Sequence, residues 1–556
     1  MGEGRFNVFV LNSLGKLHPT IFLLVLSFCG GLDYAMVASP IAFEASQPDG
    51  RKILLHIRGD EFFHWREDAD GYTVVKDNGR FVYGKLNTQG RLEPTGFVVG
   101  RDNPEAAGLK KRILPSPQVR KSLVPSMFSA PESVSRQSIA AVSPSGTVKN
   151  LVVLCKFSDH TYSVHTRDPN DYDILFNQIG GEATLAPTGS LKDLYLENSY
   201  GAMTLESTVV AWVALPYTEA YYADGSDGTG GSFPNNAQGM VRDALELVDP
   251  LVDFSQFDDD TDGYIDAIDI IHSGYGAETG GGDGDWIWSH RWSLWQLPGG
   301  EWTSDEGVKV YDYHTEPALW GTSGTNIVRF GVIAHETGHF FGLPDLYDTD
   351  GSGEGIGSWG MMANSWGFDY TQLHPPHFCS WSKINLGWLS PTVISTPGAY
   401  DIGQMETNAQ AYRIDYGYPS DEYLLIENRQ PTGIESAIPQ GGLCIFHIDD
   451  LAGYDTEGYP GQAGWPANGN HYRVALLQAD GNYNLEKSDN RGDGSDVYHA
   501  AGVSQIGAGP GNHPNTDAYQ SGNIIVTDNT LQSLSLIHIS EPTRPLYISY
   551  AVFCLK

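Results

Sequence analysis

Cysteine is scarce in this chain, five in 556 residues, so a disulfide framework is not what holds it together. Cys155, Cys379 and Cys444 read instead as small apolar packing residues. Basic residues are also few: 33 Lys and Arg stand against 68 Asp and Glu, a formal net charge of −35. That balance excludes nucleic acid and an anionic membrane surface as partners, and fits a solvated exported protein with carboxylate-rich loops open to calcium. Beyond the first 32 residues no apolar run is long enough to cross a bilayer, so the residues present carry no stable membrane anchor. There is no internal repeat, and nothing in the pattern dictates an oligomeric state. Histidine is rare too, 17 in all, which gives weight to any place where two recur at a fixed spacing.

That place is His335 to Asp345, His-Glu-Thr-Gly-His-Phe-Phe-Gly-Leu-Pro-Asp. Two histidines four apart on a helix fall about 40° apart around its axis, so both imidazoles reach one metal ion. Glu336 sits beside the first of them, free to act on a water rather than on the metal. Gly342 lets the helix stop and Pro344 prevents it from resuming, and the bend returns Asp345 to the same ion. Two neutral imidazoles, a carboxylate and an open fourth position suit a catalytic zinc.

HExxHxxGxxD resembles the extended zinc motif of the metzincin-like peptidases, with Asp where many carry a third His. The longer strings resemble the immune inhibitor A family of secreted bacterial metallopeptidases. They include AHETGHFFGLPDLYD with GSWGMMANSWG (Gly357 to Gly367), NLVVLCKFSD (Asn150 to Asp159), YLENSYGAMTLE (Tyr195 to Glu206) and EYLLIENRQPTGIESAIPQGGLCIFHID (Glu422 to Asp449). The resemblance covers most of residues 40 to 533. It implies an α+β, metzincin-like zinc endopeptidase of proteins and peptides, made as a secreted, extracellular precursor. His335, His339 and Asp345 match the zinc ligands and Glu336 the general base, with zinc-activated water as nucleophile. Met362 matches the methionine of the turn beneath the zinc, with Met361 its near neighbour. Two other readings keep the same residues: an inert secreted binding or adhesion protein that retains the zinc site, and a zinc amidase acting on cell-wall peptides. The intact base argues against the first.

Taken in order, residues 1–38 read as an export signal: Arg5 and Lys16, an apolar run from Ile21 to Leu32, and small residues at Ala35 to Ser39. Residues 39–112 alternate apolar and polar positions, as at Lys52 to Ile57 and Arg80 to Lys85, and predict a small β unit; the family makes it a propeptide. It has no cysteine, so ligand-based latency needs another group, with Asp60 and His64 as candidates. The plainer reading leaves both on the surface and has the unit block the cleft by bulk. Residues 113–147, rich in Ser, Pro and Val, suit a linker cut during maturation. The catalytic domain is placed at 148–390, with Leu151 to Phe157 a buried strand and Ser190 to Glu197 a helix.

Within it, Asp258, Asp260, Asp262 and Asp266 alternate around Gly263 as in the first part of an EF-hand-type loop, a candidate calcium site without the EF-hand fold. The active helix is predicted to start near Thr325 or Asn326 and end at Gly342. Tyr347 and Tyr370 lie near the motif in sequence. Trp286 to Trp302 reads as cleft wall and core. Residues 391–533 turn to short strands (Glu422 to Glu427, Gly442 to Ile448, Arg473 to Leu477), with Asp489, Asp493 and Asp496 as a second calcium candidate. Leu534 to Lys556 reads as translated sequencing-adapter DNA.

Overall fold

The computed structural model describes residues 34–116, 119–120, 142–454, 458–462, 465, 471–509, 511, 514–519, 523–527, 529–535 and 550–555. Most of the export signal, most of the 113–147 linker, Cys29 and residues 536–549 lie outside them. The described part is mixed α and β, with many strands and few helices. No described helix is long and apolar enough to cross a membrane. Cys155, Cys379 and Cys444 are free and buried.

The chain enters as strand β1 (Tyr34–Ala35). It then builds an antiparallel meander of six strands: β2 (Phe43–Ser46), β3 (Lys52–Gly59), β4 (His64–Asp68), β5 (Thr73–Asp77), β6 (Arg80–Leu86) and β7 (Leu92–Val98). Alternation drives it. In β3 the odd positions Ile53, Leu55 and Ile57 are buried while Lys52 and Leu54 are exposed, the period of a sheet with one wet face.

The second layer is a six-stranded sheet in the order β1-β11-β14-β10-β8-β9, formed by β8 (Gly146–Lys156), β9 (Met203–Ala214), β10 (Ile268–Tyr275), β11 (His290–Ser293) and β14 (Asp312–Leu319). A two-stranded ribbon, β12 (Trp302–Thr303) with β13 (Lys309–Val310), intervenes in sequence. Strands β9, β8, β10 and β14 run parallel, whereas β11 is antiparallel to β14. Parallel strands are covered on both faces, and accordingly Leu151 to Phe157 is buried throughout.

Helices α1 (Pro169–Asn177), α2 (Leu191–Asn198) and α3 (Ala237–Val248) flank this sheet. Ser190 and Asp193 close a reciprocal capping box on α2, and the Asn236 side chain accepts from Gly239 N at 3.0 Å on α3, satisfying donors a helix start leaves open. Of the tryptophans in Trp286 to Trp302, Trp288, Trp292 and Trp302 are buried and Trp286 and Trp295 half-buried.

Helix α4 (Phe330–Phe340) carries the histidine pair. It begins four residues later than Asn326, because the preceding chain folds back on β14: Trp320 N donates to Asn326 O and Val328 N to Ala318 O. Neither Thr325 nor Asn326 caps it; Val332 N is satisfied from outside by Gln372 Oε1 at 3.2 Å. Helix α5 (Ser380–Asn385) follows.

The remainder is a second five-stranded sheet of β15 (Thr392–Val393), β17 (Tyr412–Ile414), β18 (Glu422–Arg429), β19 (Gly442–Asp449) and β20 (Val474–Leu476). A four-stranded sheet joins β16 (Gly398–Gly403), β23 (Tyr550–Leu555), β22 (Thr530–Ser535) and β21 (Gln505–Gly507). Strand β23 belongs to the stretch read as adapter translation. An apolar run of six residues pairs with an open edge whatever its origin, so the pairing does not bear on that reading.

Two of these details fix how closely α4 approaches its neighbours. A methyl on Gly331 would lie 2.7 Å from the Ser365 carbonyl oxygen and 2.9 Å from Gln372 Cβ. Alanine is the better helix former by up to about 1 kcal/mol, but here it forces backbone apart. Gly331→Ala is therefore expected to lower stability by about 1–3 kcal/mol, read as a fall in the denaturant midpoint at unchanged slope. A raised midpoint would show that propensity outweighs the clash.

Candidate metal centre and the segments that cover it

Helix α4 is buried along its whole length, and its end is set by one conformational requirement. Gly342 adopts φ +83°, the left-handed position that stops a helix at little cost only for glycine. The chain then turns back and Asp345 comes under the helix. His335 Nε2 and His339 Nε2 lie 3.3 Å apart, and Asp345 Oδ1 is 3.1 Å from the first and 3.5 Å from the second. Ligand atoms bonded at 2.0–2.2 Å to a tetrahedral ion stand about 3.4 Å from one another.

Proton positions sharpen this. His335 Nδ1 is 3.0 Å from the Met361 carbonyl oxygen and His339 Nδ1 is 2.7 Å from the Leu343 carbonyl oxygen. A carbonyl only accepts, so each Nδ1 carries the hydrogen and each Nε2 presents a lone pair. Burial lowers the His339 pKa to about 4, which keeps that ring neutral. Three acceptor atoms thus face one another in a buried space, an arrangement that is repulsive until a cation joins it. The donor set fits zinc.

Glu336 is fully buried with both carboxylate oxygens lacking a hydrogen-bond partner. Burial first, then the charges of Glu316 and Asp345, raise its pKa well above the usual carboxylate value; the Arg291 backbone N–H, nearby but outside hydrogen-bond geometry, pulls the other way. Met362 packs against the helix, its sulfur 2.7 Å from where a Gly338 methyl would sit. Met361 supplies the carbonyl that orients His335. Tyr347 lies roughly parallel to the His335 ring at 6.5 Å between centroids, and Tyr370 is exposed.

Residues 146–389 match the model of the immune inhibitor A peptidase M6, catalytic domain. The chain is 35% identical over 278 residues to "Immune inhibitor A" of Bacillus thuringiensis subsp. alesti, covering 42% of this chain and 39% of that protein. It is 31% identical over 263 residues to "Pre-pro-metalloprotease PrtV" of Vibrio cholerae serotype O1 strain M66-2, covering 40% of this chain and 27% of that protein. Residues 146–389 are thus similar to the immune inhibitor A-type M6 catalytic domain. The aligned stretches span well under half of either relative's own length.

The edge of β11 is covered by the chain's own N-terminal part. Tyr34 and Ala35, which the sequence reading gave to the export signal, pair antiparallel with Arg291 and His290 of the β11 edge. The next residues stay in place: Trp288 Nε1 donates to Met36 O at 2.9 Å, Trp366 Nε1 to Val37 O at 3.0 Å and an Arg491 guanidinium N–H to Ala38 O at 2.9 Å. Met36 and Ala38 are wholly buried.

The β3–β4 turn adds the second cover. Asp60 and His64, the sequence candidates, have other partners: Asp60 Oδ1 accepts from Phe62 N and Phe63 N, both at 2.9 Å, and His64 pairs with Asp227 at 3.2 Å while stacking on Trp288. The residue between them was missed. Glu61 is buried, neither oxygen finds a hydrogen-bond donor, and after burial the charges of Asp60, Asp345 and Glu336 raise its pKa. An acid just past the alternating run at Lys52 to Ile57 was the available signal.

Of the acidic loop, Asp258, Asp260 and Asp262 gather within 4.8 Å around Gly263, whose φ is +89°. Asp266 does not join them; its Oδ2 accepts from Asp259 N at 3.2 Å. Further on, Asp493 and Asp496 meet Asp480 rather than Asp489, which pairs with Arg112 at 2.7 Å.

The cover yields a pH prediction. Glu61 has a folded-state pKa raised above the ordinary 4.5, so its stability contribution is complete below that value and is lost as pH rises through the folded pKa. Glu61→Gln removes the titration. With chelator present, the melting temperature of the parent should fall more steeply between pH 5 and pH 8 than that of Glu61→Gln, and the two should converge near pH 4.5. Parallel curves would place Glu61 outside the acidic cluster.

Proposed function

We propose that this chain is a secreted zinc-dependent endopeptidase made as a precursor, with residues 34–112 as the inhibitory segment. The observation that carries the reading is the convergence of three lone-pair donors, His335, His339 and Asp345, beside an unpartnered buried glutamate. The M6 match and the metalloprotease named among its relatives support it. His335, His339 and Asp345 would hold the zinc. When bound, it supplies Lewis acidity toward a carbonyl oxygen and lowers the pKa of water.

The rest is done by side chains and backbone. Glu336 takes the proton from the attacking water and passes it to the leaving amine. Its raised proton affinity, from burial and neighbouring acids, suits it to carry that proton between the two steps. The β11 edge holds substrate as an added antiparallel strand, in the manner of Tyr34 and Ala35. Met361 orients His335, and Met362 beneath Gly338 acts as the Met-turn residue.

Latency follows from occupation of that edge by residues 34–38, with Glu61 taking the open side of the centre. The export signal then ends before Tyr34, since Met36 and Ala38 are part of the packed interior. Asp258, Asp260 and Asp262 are the calcium ligands of this reading, without Asp266.

Glu336→Ala should fold, retain metal and, after removal of the N-terminal segment, cleave casein about 10²–10⁴-fold more slowly than the parent. Undiminished cleavage would take Glu336 out of the mechanism. Intact precursor should be inactive in the same assay, and an active precursor would dispose of the latency reading.

A further inference from the structure

A second set of buried metal-ligating side chains lies in the sheet β15-β17-β18-β19-β20, outside the M6 match. Glu422 opens β18, while His447 and Asp449 lie near the end of β19; in the antiparallel register Glu422 stands opposite Asp449 and Leu424 opposite His447. With a side-chain period of two, Glu422, His447 and Asp449 fall on one face, the face whose next residues, Leu424, Ile426 and Ile445, form the apolar core. His471 arrives from the segment leading into β20. Ligand atoms of Glu422, His447 and His471 lie within 4.8 Å of one another, and the three residues are 1%, 2% and 6% exposed.

One of the two rings here repeats the pattern of the first centre. His471 Nδ1 is 3.1 Å from the Tyr472 carbonyl oxygen, so it carries the hydrogen and Nε2 presents a lone pair. That lone pair faces Asp449 Oδ2 at 3.3 Å. His447 Nε2 stands 3.1 Å from Glu422 Oε2, which also accepts from Tyr519 N at 2.9 Å, while Glu422 Oε1 is buried without a hydrogen-bond partner. A proton on His471 Nε2 would relieve its contact with Asp449 as a buried imidazolium–carboxylate pair, but it would leave Glu422 Oε1 buried without a hydrogen-bond partner. One divalent cation would resolve the acceptor–acceptor contact and use the spare carboxylate oxygen together.

We propose that Glu422, His447 and His471, with Asp449 as a fourth donor, form a structural binding site for a divalent transition-metal cation of the zinc type. Two imidazoles with carboxylates favour zinc over calcium, which prefers an all-oxygen set. The site is closed rather than catalytic: Tyr519 packs against both rings at 5.5 and 5.7 Å, and Trp465 covers His471 at 6.0 Å. Its effect would be to cross-link β18, β19 and the approach to β20, and, through the Tyr519 backbone, the 514–519 segment.

The test is zinc content of the purified full chain, by mass spectrometry, with folding checked by circular dichroism. The parent should hold about two zinc equivalents, and His335→Ala with His339→Ala should leave about one. That remaining equivalent should give a visible cobalt(II) spectrum on exchange. Adding Glu422→Gln, an isosteric change, should weaken it at least about tenfold in competition with a chromophoric chelator. A folded His335→Ala/His339→Ala protein that holds no zinc overturns the proposal, as does an unchanged affinity in Glu422→Gln. If the parent and that double variant hold one equivalent alike, the second site stands and the assignment of His335 and His339 fails instead.

Discussion

Two backbone carbonyls decide the chemistry of this molecule. By accepting from Nδ1 of His335 and His339, the oxygens of Met361 and Leu343 force both Nε2 lone pairs toward Asp345. Much of the surrounding fold can be traced to keeping those carbonyls where they are. Leu343 is placed by the left-handed turn at Gly342, and Met361 by its N–H bond to His377 O at 3.0 Å. His377 is itself fixed on both sides: its N–H donates to Glu435 at 2.7 Å and its Nε2 meets Glu197 at 2.8 Å. Orientation of a metal-type ligand is thus passed outward through backbone bonds, which are harder to displace than side-chain ones.

The same geometry explains why so acidic a chain places acids in its interior. Asp60, Glu61, Glu336 and Asp345 are all buried close enough to shift one another, and none of the first three has a cationic partner strong enough to keep its pKa low. Without a positive charge the cluster is destabilising at neutral pH; with one it is a stabilising cover. The covering turn and the centre therefore depend on each other, and an arrangement that is costly alone becomes favourable when a divalent ion sits among it.

What was legible in the sequence was local. The spacing of His335, Glu336 and His339, the stop at Gly342 and the return of Asp345 all fall within eleven residues, where helix period and turn chemistry dictate the outcome. The strands at Lys52, Leu151, Glu422 and Gly442 were visible for the same reason. The start of α4 was misplaced because Asn326 is a good cap in isolation, while β14 claims that backbone. Glu61 was overlooked in favour of Asp60 and His64 because which residue of a hairpin tip enters a cleft depends on the docking of two layers. The grouping of Glu422, His447 and His471 depends on strand register, which no short window encodes. A glutamate and a histidine inside otherwise apolar strands were the trace it left.

The family match ends at residue 389, yet the physical unit does not. Arg429 of β18, wholly buried, donates to Glu427 at 2.8 Å, to Glu435 at 3.1 Å and to the Trp359 carbonyl at 3.1 Å. Trp359 in turn donates from Nε1 to Asp496 at 2.9 Å, and Arg491 reaches both Glu354 and Ala38. Separating the second sheet from the M6-matched residues would take the Trp359 carbonyl from Arg429, the Trp359 N–H from Asp496 and Glu354 from Arg491, and losing one partner of a buried ionic pair such as the last costs about 3–5 kcal/mol. It would also take the Glu435 acceptor from the His377 N–H, loosening the residue whose carbonyl places Met361 and so His335. The β-rich region is on this account the back wall of the centre rather than an appendage, and the ionic network at Arg429 is where stability of the one becomes geometry of the other.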